Sequence, residues 1–172
     1  MKYLILLFLT VLLFSCKGKL TQFYIDYNFD AIVPASAQID SPVTLNTPEK
    51  TTNSEVEFES NDTRKDKIEQ IILEDLELTI ISPDDETFSF LNDIEIYLSS
   101  ENLPEIKIAY KEDIPENVGD KIICEVIKKD LKEYIMEESI TIRLTTVTDE
   151  VITEDVEVDI FTNFFVDAKL IK

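Results

Sequence analysis

The chain has 172 residues, with 16 basic and 36 acidic side chains, a formal net charge of −20 and an apolar fraction of 44%. That charge repels phosphates and anionic lipid, which disfavours DNA or RNA binding and lying flat on a membrane surface. The sequence has no His and only two Gly and two Cys. This removes Ser-His-Asp and Cys-His catalysis, His-ligated zinc, and glycine-rich phosphate or EF-hand loops.

In chain order, Lys2 precedes an apolar run from Tyr3 to Phe14 that is broken only by Thr10. About twelve residues at ~1.5 Å rise make a helix of roughly 18 Å, short of the ~30 Å hydrocarbon core. The run therefore fits the apolar region of a cleaved export signal rather than a membrane span. It closes on Leu13-Phe14-Ser15-Cys16, which resembles the lipobox of bacterial lipoproteins. Cys16 followed by Lys17 and Gly18 resembles lipoproteins of the Bacteroidota in particular. The resemblance implies a signal peptide over 1–15, cleavage after Ser15, and acylation of Cys16 with palmitate-type chains. It also implies a place in the cell envelope, at the outer membrane, with the membrane itself as a partner. Two or more acyl chains hold a protein on a bilayer almost permanently, where one is marginal. It covers only the start of the chain and implies no activity.

Removing residues 1–15 takes Lys2 away and leaves 157 residues, with 15 basic side chains against 36 acidic ones, a formal charge of −21. That length suits one domain with a core of its own. Residues 16–19 form a tether and 20–172 the domain. The three residues Lys17-Gly18-Lys19 reach ~10 Å when extended, so the domain is expected close to the bilayer.

Strict alternation marks the first strand: Phe23, Ile25, Tyr27, Phe29, Ala31 and Val33 share one parity and Pro34 ends it. Residues 34–54 read as a loop with an edge strand near Val43–Leu45. Val56 and Phe58, alternating with acids, read as a short strand. Residues 61–69 read as a short helix with Asp62 as N-cap. Leu76, Leu78 and Ile80 mark a strand closed by a type I turn at Ser82-Pro83-Asp84-Asp85. Three short strands follow, around Ile94–Leu98, Ile106–Tyr110 and Ile122–Val126. Residues 130–136 read as a helix of one or two turns. Ile140–Thr146 is another strand, and Val156 to Leu170 forms a long last one. Gaps this short do not accommodate βαβ crossovers. The expected fold is all-β, an antiparallel β-sandwich, Ig-like in the broad sense, with one or two short helices. The long first and last strands are expected to pair antiparallel.

With Cys16 acylated, Cys124 is the remaining thiol, and it shares a face with Ile122 and Val126, the position of a core residue. Adjacent acids occur at Asp84-Asp85-Glu86, Glu112-Asp113, Glu137-Glu138, Asp149-Glu150 and Glu154-Asp155. Most fall in turns. Asp84, Asp85 and Glu86 are the best local nucleus for a weak Ca²⁺ site, which needs six or more oxygens. Tyr24, Tyr97 and Tyr110 are the candidate aromatics for ligand contact, but Tyr110 shares the parity of its strand's apolar residues and is expected in the core, and Tyr24 and Tyr97 are suited to covering a loop. No catalytic residue and no cofactor is expected. The leading reading is a lipid-anchored, non-enzymatic binding or structural module with a possible protein partner. The alternatives are a carboxylate-based glycan hydrolase and a carrier of a small apolar ligand between the sheets.

Overall fold

The computed structural model describes residues 22–35, 42–148 and 150–169. The expected signal peptide, Cys16 and the tether lie outside the described residues.

Two antiparallel sheets face each other. One has the order β1 (Gln22–Val33), β10 (Val156–Ala168), β4 (Ile68–Ser82), β7 (Lys121–Ile123). The other has the order β2 (Pro42–Asn46), β9 (Ser139–Thr148), β5 (Leu91–Ser99), β6 (Ile106–Lys111), β8 (Glu125–Val126), with β3 (Lys50–Thr51) also on β9. Two short helices, α1 (Ser54–Ser60) and α2 (Lys132–Ile135), complete the sandwich. The all-β antiparallel sandwich read from the sequence is the observed fold.

Period-two burial builds the core. β1 turns Ile25, Tyr27, Phe29, Ala31 and Val33 inward, and β10 turns Val158, Ile160, Phe164 and Val166 inward. Ile140, Ile142 and Leu144 of β9 and Ile94, Ile96 and Leu98 of β5 are buried from the facing sheet. Each such side chain contributes about 1.5–3 kcal/mol through removal from water. Phe58 of α1 is buried and meets the Phe23 ring edge-on at 6.4 Å. Leu131, Tyr134 and Ile135 at α2 are buried in the same core.

β1 and β10 pair through twelve positions, from Gln22 opposite Asp167 to Val33 opposite Val156. The expected antiparallel pairing of the long outer elements is therefore present. It brings Gln22 beside the end of β10.

Several local expectations are corrected. Val56 and Phe58 lie on α1, not on a strand: Phe58 is buried whereas Val56 is 66% exposed. The acids that alternate with them, Glu55 and Glu57, stand in the first turn, where they complement the helix dipole. No helix is centred on 61–69. Asp62 has φ 55 and follows the end of α1 as a left-handed turn residue, a role Asp tolerates. Only a 3-10 turn at Lys65–Lys67 follows before β4 begins at Ile68. β4 is longer than its visible alternation because register shifts against β10 break its parity. The buried set runs Ile68, Ile71 and Leu73, then Leu76, Leu78 and Ile80. The turn after β4 is closed from Glu86 N–H to Pro83 C=O, one residue later than expected. Ile122–Val126 is not one strand. β7 belongs to the four-stranded sheet and β8 to the other, so the chain changes sheets at Cys124. The N–H of Cys124 still bonds Leu76 C=O.

Candidate functional site

The outer face of the six-stranded sheet carries the richest polar arrangement among the described residues. Register sets two neighbouring rows. Thr44, Thr145, Glu95, Tyr110 and Glu125 lie side by side across five strands. Asn46, Arg143, Tyr97 and Lys107 form the next row. Outward parity puts all these side chains on one surface.

Their bonds form a continuous chain. Arg143 grips Glu105 with two parallel bonds, Nε to Oε2 at 2.5 Å and Nη2 to Oε1 at 2.7 Å. The same guanidinium lies 4.1 Å above the Tyr97 ring and donates to Thr145. Tyr97 donates its hydroxyl proton to Glu95 at 2.6 Å, and Lys107 donates to the other oxygen of Glu95 at 2.5 Å. Lys107 sits 5.2 Å from the centre of the Tyr110 ring. The fork of Arg suits carboxylate and ring together in a way Lys does not.

The electrostatic consequences follow these contacts. Hydrogen bonds from Lys107 and then Tyr97 hold the Glu95 carboxyl below its usual range. The bond to Glu95 holds the Tyr97 phenol and the Lys107 ammonium above theirs. Arg143 lowers Glu105. Glu125 raises the Tyr110 phenol.

Beside this network runs an open groove of about 440 Å³, lined by Pro42, Asp93, Glu95, Tyr110, Glu112 and Asp113 among others. Asp113, at φ 51, turns the chain there, and its N–H bonds the Asp93 carboxylate at 3.1 Å. The groove presents carboxylate acceptors beside one aromatic ring, an arrangement suited to cationic or hydroxyl-rich ligands. A glycosidase's general acid needs a raised pKa. Glu95, tied to two donors, is shifted the other way.

Of the residues singled out from sequence, Glu112 and Asp113 come together at the groove with Tyr110. Tyr110 is half-buried and faces outward, not into the core. The cause is an irregularity of register opposite Ile96 and Tyr97, which leaves Ile108 and Ala109 both buried. Tyr97 is stacked under Arg143 rather than covering a loop. Tyr24 is 58% exposed on the outer face of the four-stranded sheet and meets the Phe165 ring at 5.6 Å. Asp84, Asp85 and Glu86 occupy the turn after β4, where Glu86 accepts from Thr87 N–H. Among the described residues no group of three or more His, Cys, Asp or Glu side chains is placed to hold a metal ion. Cys124 is buried, as its parity implied, and burial pushes its thiol up to about 12. Between the sheets, a cavity lined by Ala31, Leu78, Phe88, Leu144 and others measures about 10 Å³. That is room for about one water, against the ~300 Å³ or more of ligand pockets.

The sequence reading passed over Arg143, Glu105, Glu95 and Lys107. Each is unremarkable alone. The available signal was Arg143 alternating with Ile142 and Leu144, which puts a cation on the outer face of a central strand in a chain short of cations.

No family model matches the sequence, and no curated protein matches it. Among solved structures, a chain of turnip yellow mosaic virus is 13% identical, with 87% of this chain and 96% of that one covered, at a TM-score of 0.29. A chain of Desmodium yellow mottle tymovirus is 10% identical, with 88% and 90% covered, at a TM-score of 0.25. A chain of the empty head of turnip yellow mosaic virus is 13% identical, with 92% and 87% covered, at a TM-score of 0.28.

Proposed function

We propose that this chain is a lipoprotein, held at the outer membrane of a two-membrane bacterium by acyl chains on Cys16, and that its sandwich is a non-enzymatic binding or structural module. The observation that carries the reading is Leu13-Phe14-Ser15-Cys16 at the end of a short apolar run. The fold is compatible with that mount: Gln22, six residues beyond Cys16, begins a strand fixed along its whole length to β10. Among the described residues no helix is long and apolar enough to cross a membrane, which is consistent with an anchor outside the domain. In the network of Arg143, Tyr97, Glu95 and Lys107 the side chains are bonded or stacked on one another and on Glu105.

Membrane fractionation tests the reading. The Cys16→Ala chain is expected to leave the membrane fraction and to lose incorporation of a labelled fatty acid. Unchanged fractionation and labelling would contradict it.

A further inference from the structure

The edges of the two sheets are unequal. β2 has five residues, β7 three and β8 two. β1, the long edge, has twelve and among the described residues pairs with β10 alone. Its register with β10 runs through all twelve positions without a shift. At ~3.4 Å per residue this edge is roughly 40 Å long. A strand bonded on one side leaves the N–H and C=O groups of alternate residues pointing outward, a ready template for another strand. Natural edges of this length are broken by a bulge or Pro, covered, or guarded by charged side chains, and on β1 the charges are Asp26 and Asp30. Pro34 lies beyond the end of β1.

The outward side chains have a definite pattern. Tyr24, Asp26, Asn28, Asp30 and Ile32 are all exposed, with acids in the middle and apolar residues at the ends. Asp26 accepts from Asn163 at 2.5 Å. Asp30 lies directly opposite Asp159 of β10, and like charges so placed repel. Burial first, then Asp30 and Glu77, push the Asp159 carboxyl up, with Lys50 acting in the opposite sense. Among the described residues neither Asp26 nor Asp30 has an ion-pair partner. Among the described residues, the edge therefore has no second strand on its outer side and carries two carboxylates, four residues apart, with no ion-pair partner.

We propose that the free edge of β1 receives an extended segment of a protein partner as an added strand. That segment carries Lys or Arg opposite Asp26 and Asp30, and apolar residues opposite Tyr24 and Ile32. Main-chain bonds supply affinity and the alternate side chains supply specificity. A second copy of this chain is a poor occupant. Antiparallel pairing centred on Asn28 sets Asp26 against Asp30 of the copy, and parallel in-register pairing sets each acid against itself. The inference rests on the binding-module reading by naming its partner chemistry. It does not depend on acylation of Cys16, so the two tests fail separately.

The test uses the full chain in mild detergent and a labelled nine-residue peptide with Lys at positions 3 and 7, Val at both ends and Thr elsewhere. The peptide is expected to bind and to slow amide hydrogen exchange at alternate residues of 22–33. Asp26→Asn with Asp30→Asn, near-isosteric changes on the surface, is expected to weaken binding about tenfold or more. The peptide with Glu at positions 3 and 7 is expected not to bind. Absence of binding, equal binding of the Glu peptide, or binding without slowed exchange in 22–33 would each overturn the proposal.

Discussion

The two outer faces of this sandwich solve the same problem in opposite ways. Both belong to a chain with more than twice as many acids as bases. On the six-stranded sheet, Arg143 and Lys107 join one network: they bind Glu105 and Glu95 and stack over Tyr97 and Tyr110. On the four-stranded sheet, Lys121, Lys128 and Lys169 pair singly with Glu77, Glu74 and Glu69, while Asp30 faces Asp159 directly and Tyr24, Ile32, Ile81 and Ile123 remain more than half exposed. On the first face the Arg143 and Lys107 network is paired within itself, and the carboxylates of Asp93, Glu112 and Asp113 line the groove beside it. The second holds charge and apolar surface that no described residue covers, and it adjoins the long edge of β1. A connected network on one side, and single ion pairs beside two facing acids on the other, separate a closed surface from an open one.

The largest expected effect separates inside from outside within a single strand. Phe164 is fully buried, whereas its neighbour Phe165 is half-buried on the open face against Tyr24. Phe164→Ala is expected to cost about 3–5 kcal/mol in denaturant unfolding. Phe165→Ala is expected to cost about 1 kcal/mol, in the range of one aromatic pair. Similar costs for both would mean that the open face is covered.

The closed face gives a smaller effect. Arg143→Lys keeps the charge but loses the two-bond grip on Glu105, the ring stack and the bond to Thr145. A loss of about 0.5–1 kcal/mol is expected, given that Glu105 is partly exposed. An unchanged midpoint would show that the network has no energetic weight.

The smallest effects differ in sign with pH. Glu95 has a lowered folded pKa, so its carboxylate contributes stability above its unfolded pKa that is lost as pH falls through the folded value. Wild type should therefore exceed Glu95→Gln at neutral pH, with the gap closing in acid. Asp159 has a raised folded pKa, so its charge destabilises the fold at neutral pH and protonation relieves the cost as pH falls through the folded value. Asp159→Asn should slightly exceed wild type at neutral pH, with its advantage vanishing as pH falls through the folded pKa of Asp159. Parallel pH profiles for the two variants would erase the distinction between the faces.

Much of the fold beneath this contrast was legible in the sequence, within physical limits. Alternation located β1, β9 and β10 because each keeps one parity over ten or more residues. It understated β4, whose register shifts against β10 interrupt the count between Ile68 and Leu76. It misread Tyr110 for the same kind of reason: one irregularity against β5 turns the ring outward. Val56 and Phe58 alternate with acids in a segment too short to distinguish a strand from a helix turn. The Arg143 network was not legible, because its members come from strands whose adjacency only the register reveals.

The most direct measurement is residue-resolved amide hydrogen exchange on the full chain without a partner. β9, bonded on both sides along most of its length, is expected to be protected along its run. β1 is expected to alternate, with slow amides facing β10 and fast amides facing outward. Uniform protection from Gln22 to Val33 would mean that the edge is already covered, and would contradict the open edge on which the account of this molecule turns.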